Sequence, residues 1–379
     1  MGELFQPVHE DFRKTLREFI ENELAPHADE WEEAEDFPYE YFRRMGELGF
    51  LGMQYPEEYG GDNDVLAEAV FHEEMPRCGS GGVAAALGAH IAIAMPQINK
   101  FGTPEQKEKY LVPGIRGEKI GALGITEPGG GSDVAGITTY AVRDGSDWII
   151  NGSKTFITNG VKCDWVVVAA KTDRDKGYGG ISQFVVDRGT PGFETSKRLK
   201  KLGWKASDTG ELSFMDCRVP GDALLGEVDR GFYQIMANFA WERLTLALGS
   251  VSGAQMLLEG TMEYAKERQA FGQPISKFQV IAHYFADMAT RIEAARRLTY
   301  HALELYVQGQ NPIKEVSMAK LFACDVACEV SDQCLQIFGG YGYMDEYPVS
   351  RSFRDMRLGP IGGGTREIMR EIISKMMGL

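Results

Sequence analysis

Gly362, Gly363 and Gly364 stand directly before Thr365, after which Ile368, Ile372 and Met376 recur every four residues as the apolar stripe of a helix. Three successive glycines carry a high cost in chain entropy, which predicts that something comes very close to their backbone. Free N–H groups at a helix start suit an anionic or carbonyl-bearing ligand, and the same residues also read as a flexible loop entering a last helix. No acid, base or nucleophile lies between Pro360 and Thr365, so proton transfer at this loop needs a group from elsewhere. A second glycine-rich stretch, TEPGGGSD from Thr126 to Asp133, also offers bare backbone. Neither run has the strand–glycine–helix setting of a dinucleotide-binding fingerprint. Cys324 and Cys328 are one helical turn apart with no His at ligand spacing, which predicts small buried side chains and no metal site.

The elements that must position these residues fall into three blocks. From residue 8 to about 118 the helical period dominates, beginning with Val8, Phe12, Leu16, Phe19, Ile20 and Leu24 on one face. In FGTPEQKEKYL, Thr103, Pro104 and Gln106 spell a capping box with proline at the first helical position. From 119 to about 225 the pattern alternates and is rich in Val, Ile, Thr and aromatics, with Asn151-Gly152 and Asn159-Gly160 as hairpin signals. The helical period then returns, with long segments predicted at about 232–266, 277–308 and 313–337. Segregated helices and strands argue for an α+β multidomain chain, divided at 1–118, 119–228 and 229–379, and against a doubly wound sheet.

Composition narrows the partners. The formal net charge of −15 argues against nucleic acid, which needs a basic surface. No stretch is read as a membrane span, so no stable membrane insertion is expected. The N-terminus enters a helix at once without a targeting segment, and Gln6 departs from the myristoylation pattern that Met1-Gly2 begins. Together with the scattered cysteines, this gives a cytoplasmic expectation.

The ordered segments ITEPGGGSDVAGI, INGSKTFITNG, KERQAFGQPISKFQ, QIFGGYGYMDEYP and GGTREI, preceded by MGELGFLGMQYPEEYGG, together resemble the acyl-CoA dehydrogenase family over essentially the full chain. The resemblance implies an N-terminal all-α domain, a middle β-barrel domain and a C-terminal four-helix bundle. It also implies one FAD per chain, an acyl-CoA substrate, a homotetramer, and electron-transferring flavoprotein as acceptor. By the same resemblance, Leu123, Ile125, Thr126, Ser132, Phe156 and Thr158 lie by the flavin, and Ser132 also by the substrate. Arg268, Phe271, Gln279, Gln336, Gly339 and Gly340 would reach a neighbour's FAD, and Thr365 and Glu367 the ribityl and adenosine portions. Taken alone, Phe156 reads as core, Gly339-Gly340 as a helix stop, and Arg268 as a solvated helix face.

Many members of this family carry the base that removes the substrate α-proton immediately before the Gly-Thr of the last motif, and here that position is Gly363. Members resembling long-chain and isovaleryl-CoA dehydrogenases place it in an ERL segment, which matches Glu242 in WERLTLALGSVSGA. The face of Glu242 continues through the small residues Thr245, Gly249, Ser252 and Gly253, a shallow channel, with Leu244, Ala247, Leu248 and Val251 left for packing. Without the resemblance, Glu242 reads as a surface acid paired with Arg243. The resemblance makes Glu242 the catalytic residue and puts Arg243, Gly363 and Gly364 beside substrate, the Gly363 N–H serving the thioester carbonyl. Burial near flavin is expected to raise the Glu242 pKa. The implied reaction is α,β-desaturation to a trans-2-enoyl-CoA in fatty-acid or branched-chain catabolism. An acyl-CoA oxidase or flavin monooxygenase on the same fold, and a non-catalytic acyl-binding or assembly protein, are the alternatives.

Overall fold

The computed structural model describes residues 4–379, so the Met1-Gly2 start lies outside the described residues. Helices α1 (Pro7–Phe19), α2 (Ala28–Ala34), α3 (Glu40–Glu47) and α4 (Val65–Glu74) come first. A continuous run follows: α5 (Gly81–Gly88), a π-helical stretch (Ala89–Ala94) and α6 (Met95–Phe101), then α7 (Pro104–Gln106) and α8 (Val112–Ile115). The capping box forms, Gln106 N donating to Thr103 Oγ1 at 3.3 Å and Thr103 N to Gln106 Oε1 at 3.1 Å. One sequence expectation is corrected here. Gly81–Phe101 is long and apolar enough to cross a membrane, with a mean hydropathy of 1.4, yet 72% of that window is buried inside the protein. Its apolar side chains form core between α4 and the later helices, which is why hydropathy alone does not define its setting.

Eight strands build the middle block: β1 (Gly121–Gly124), β2 (Tyr140–Asp144), β3 (Asp147–Thr158), β4 (Trp165–Lys171), β5 (Ile181–Asp187), β6 (Phe193–Arg198), β7 (Thr209–Val219) and β8 (Leu224–Leu225). The order is β6-β7-β3-β2-β4-β5-β8, with β1 parallel to β4. The two halves meet through a single pair, Tyr140 with Lys171, and share one core of Trp148, Ile150, Val166, Val168, Phe184 and Phe214. Strand β4 is apolar on both faces, because Val166 and Val168 face this core while Trp165 and Val167 face the helices.

The Asn-Gly expectations are also corrected. Asn151-Gly152 lies inside β3 at a bulge, where a Cβ on Gly152 would sit 2.7 Å from the Thr139 Cα. Asn159-Gly160 ends β3 without pairing it to β4. The hairpin turns at Gly145-Ser146, between β2 and β3.

Helix α9 (Gly231–Glu267) starts hard against β5, since a Cβ on Gly231 would lie 2.8 Å from Ser182 backbone. A two-stranded ribbon, β9 (Gln269–Ala270) with β10 (Gln273–Pro274), joins it to α10 (Gln279–Val307). Then come α11 (Ile313–Phe338), α12 (Pro348–Met356) and α13 (Arg366–Met376). Leu244, Leu248, Val251 and Leu258 give α9 a buried stripe within the bundle. The three blocks meet at Asp355 on α12, whose carboxylate accepts from Gly81 N at 3.0 Å and Trp204 N at 2.6 Å. Burial, with Glu32 nearby, pushes the Asp355 carboxyl up to about 6.

Candidate active site

Glu242 sits in the first third of α9 and is only 8% exposed. Asn238, one turn earlier, donates through Nδ2 to Glu242 Oε1 at 2.9 Å. Burial raises the Glu242 carboxyl to about 7, against the lowering pull of Asn238, Arg243 and Lys100. The residue is therefore no surface acid, and its proton affinity suits a base working near neutrality.

Arg243 is buried as well, and its Nε donates to the Gly363 carbonyl at 3.2 Å. Leu246, one turn beyond Glu242, lies over the same loop: a Cβ on Gly363 would come 2.6 Å from Leu246 Cδ1. Gly363 and Gly364 have φ of +63° and +99°, so the loop needs glycine for its backbone path as well as for space. From α11, Lys320 Nζ donates to the Gly364 carbonyl at 2.5 Å. Two cations thus hold the carbonyls of the loop, and Thr365 caps α13 by accepting from Ile368 N at 3.3 Å. Glu367 is exposed on the first turn of that helix.

The small-residue face beyond Glu242 is in part a packing surface. Thr245 is buried with its hydroxyl on the Glu242 carbonyl, a Cβ on Gly249 would touch the His72 carbonyl, and one on Gly253 would touch Pro76 and Met356. Small residues there let α4 and the turn after it approach α9, which corrects the reading of that face as a channel. Leu244, Ala247, Leu248 and Val251 are buried.

A second group gathers on the sheet. Leu123 lies next to the end of β1, with Ile125 and Thr126 just past it, and Ser132 is exposed in the glycine-rich loop. Nothing lies within 4 Å of a Cβ placed on Gly129 or Gly130. Phe156 is 68% exposed at φ +60°, on a bulge of β3 with Thr158 two residues on, which corrects its reading as core. An exposed aromatic held at positive φ is a costly arrangement, and a flat ligand against the ring would account for it. The base of the loop is pinned by a pair that sequence reasoning missed. Lys154, fully buried, donates to Glu127 Oε1 at 2.8 Å and to the Ile125 carbonyl at 3.1 Å. Thr138 and Thr139 donate to the same carboxylate. Burial disfavours a charged Glu127, but these donors and the Lys154 charge outweigh it and hold the carboxyl down to about 2.

The third group lines a cleft of about 480 Å³ where Arg268 faces Gly339, Gly340 and Tyr341. Gly339 and Gly340 have open space where a Cβ would be. Arg268 has no carboxylate within 4.0 Å among the described residues, so its guanidinium is available to an anion. Phe271 is 96% exposed, and Gln279 and Gln336 are exposed. Glu242 and Arg268 are 26 residues apart on one helix and its cap, roughly 39 Å at the α-helical rise. The structure brings together Glu242, Arg243, Gly363 and Gly364, and separately Arg268, Gly339 and Gly340. These two groups do not form one site within a single chain. The exposed glycine cradles, the unpaired Arg268 and the bare Phe156 ring fit a flat, diphosphate-bearing cofactor such as FAD.

Comparison with known proteins gives three family models in chain order: acyl-CoA dehydrogenase N-terminal domain over residues 6–118, middle domain over 122–217, and C-terminal domain over 229–378. The long-chain specific acyl-CoA dehydrogenase of Mus musculus mitochondria is 41% identical over 377 residues, 99% of this chain and 87% of that protein. A short-chain specific acyl-CoA dehydrogenase of Clostridium acetobutylicum is 43% identical over 364 residues, 96% of each chain. The crystal structure of an acyl-CoA dehydrogenase from Geobacillus kaustophilus superposes with a TM-score of 0.97 at 41% identity, covering 100% of both chains.

Proposed function

The chain belongs to the acyl-CoA dehydrogenase family, flavin-dependent oxidoreductases, and from that premise we propose that Glu242 is the base that takes the α-proton of its acyl-CoA substrate. The reaction is FAD-dependent desaturation of the thioester, as in fatty-acid catabolism. FAD, when bound, supplies the hydride acceptor. The observation that carries the base assignment is the buried Glu242 carboxyl, near pH 7 in its affinity, one residue from the Arg243 that grips Gly363. The Gly363 N–H polarises the thioester carbonyl, stabilising negative charge as the α-proton leaves for Glu242. Glu242→Gln retains size and polarity but cannot take the proton. Anaerobic flavin bleaching by acyl-CoA should fall about 10²–10⁴-fold with FAD content unchanged. Bleaching at the parent rate would remove Glu242 from this role.

In this reading Leu123, Ile125, Thr126, Ser132, Phe156 and Thr158 hold the flavin of their own chain, with Thr365 and Glu367 beside its ribityl and adenosine portions. Arg268, Phe271, Gln279, Gln336, Gly339 and Gly340 serve the FAD of another chain. The support is the separation of roughly 39 Å along α9, further than one dinucleotide can stretch, so the second group has work only in an assembly. A homotetramer with electron-transferring flavoprotein as acceptor completes the proposal. A cytoplasmic setting is supported by six free cysteines, five of them buried. Relatives named for long and short chains are similarly identical, so acyl length is to be read from a panel of C4 to C18 and isovaleryl thioesters.

A further inference from the structure

Asn238 occupies a point where three elements meet. Its Nδ2 donates to Glu242 Oε1 at 2.9 Å and to the Ala92 carbonyl, in the π-helical stretch, also at 2.9 Å. Its Oδ1 accepts from Lys100 Nζ of α6 at 3.1 Å, and Lys100 also reaches the Ala237 carbonyl at 3.4 Å. The amide orientation is fixed by its partners: two acceptors face the NH₂ and an ammonium, which can only donate, faces the oxygen. Both donors of Asn238 are therefore used, and it is fully buried. Among the described residues Glu242 Oε1 has this one partner, and Oε2 has none.

We infer that Asn238 and Lys100 are positioning residues for Glu242: Asn238 fixes Oε1 and leaves Oε2 to take the proton, and Lys100 polarises Asn238 toward the carboxylate. This rests on Glu242 being the base. A cation on the amide oxygen strengthens the N–H···carboxylate bond on its far side, so the charged form of Glu242 gains through a linked pair of hydrogen bonds. The hold on Glu242 comes from the N-terminal helices, because Ala92 and Lys100 both belong to the run that ends in α6. The other charged groups around the site are accounted for. Arg243 is committed to Gly363 and Lys320 to Gly364. From α4, Glu68 accepts from Trp241 Nε1 at 2.6 Å with His72 3.6 Å away, and its charge bears on Lys100 rather than on Glu242. The loop from Pro360 to Thr365 has no titratable side chain.

The test is the pH profile of anaerobic flavin reduction in the FAD-loaded enzyme, driven by whichever of butyryl-, octanoyl- or palmitoyl-CoA bleaches the parent fastest. The parent rate should rise through an ionisation near neutrality. Lys100→Gln, a change at an exposed side chain, should move that ionisation up by about half to one pH unit, while the high-pH plateau stays within about twofold. Lys100→Arg should restore the parent profile. Asn238→Asp, which puts a second carboxylate on Glu242, should move it up by about one unit or more and lower the plateau about tenfold. A Lys100→Gln profile that superimposes on the parent overturns the inference even if Asn238→Asp does not fold. With Glu242→Gln inactive, that result leaves the base assignment standing. Parent-rate reduction by Glu242→Gln overturns both.

Discussion

A carboxyl buried as Glu242 is must ionise against its surroundings, and that has a thermodynamic signature separate from catalysis. Its folded pKa of about 7 lies above that of an unfolded glutamate, so the folded state binds the extra proton between about pH 4.5 and 7. Stability contributed by the neutral form is intact below that window and is lost as pH rises through it. Glu242→Gln removes the loss. The variant should therefore be more stable than the parent at pH 8, by up to about 3 kcal/mol, and no more stable at pH 4. Urea midpoints at the two pH values measure this. Gly363 makes a different demand. An alanine there meets a positive φ, costing about 1–2 kcal/mol, and its methyl meets Leu246 Cδ1 at 2.6 Å. Gly363→Ala should impair bleaching by acyl-CoA more than it lowers FAD content, and Leu246→Ala should recover part of the loss. Equal loss of both would make the loop a plain turn.

Among the elements, the glycine-rich loop after β1 depends on a pair of residues 27 apart in sequence. Lys154→Met leaves Glu127 buried without its cation and should cost about 3–5 kcal/mol, with FAD lost from the folded fraction as the loop loosens. Denaturant titration and the flavin-to-protein absorbance ratio measure the two effects. That pair was not legible in the sequence, because only the packing of β3 beneath the loop brings Lys154 to Glu127. The helices were legible because their signals are local: the Thr103–Gln106 box formed, and α9, α10 and α11 fall within a few residues of their expected spans. Asn151-Gly152 misled because β3 continues through it, pairing with β7 on one side and receiving Thr139 against Gly152 on the other. At the site, the family resemblance alone pointed to Glu242, which by its own residues read as a surface acid. Asn238 was one turn away on the same face and readable by the helical period. The approach of Lys100 was not, since it depends on how α6 docks across α9.

In the whole molecule, the cleft at the far end of α9 sets the assembly prediction. Arg268 faces the open glycines with no acid of its own to neutralise it, so Arg268→Ala should lower FAD retention and weaken the proposed tetramer together. Sedimentation run alongside flavin content tests the link, and full flavin in an intact tetramer would refute it. The three blocks are tied within each chain at Asp355, which gives one carboxylate to the start of α5 and to the loop before β7. Gly81 has to be glycine there, because a Cβ would lie 2.5 Å from the Trp204 ring. A tie of this kind governs cooperativity. Helices, sheet and bundle should give one calorimetric endotherm, because none can melt without stripping partners from the same buried carboxylate. Asp355→Ala should lower the midpoint of that endotherm without splitting it, because the N-terminal helices and the bundle share one core.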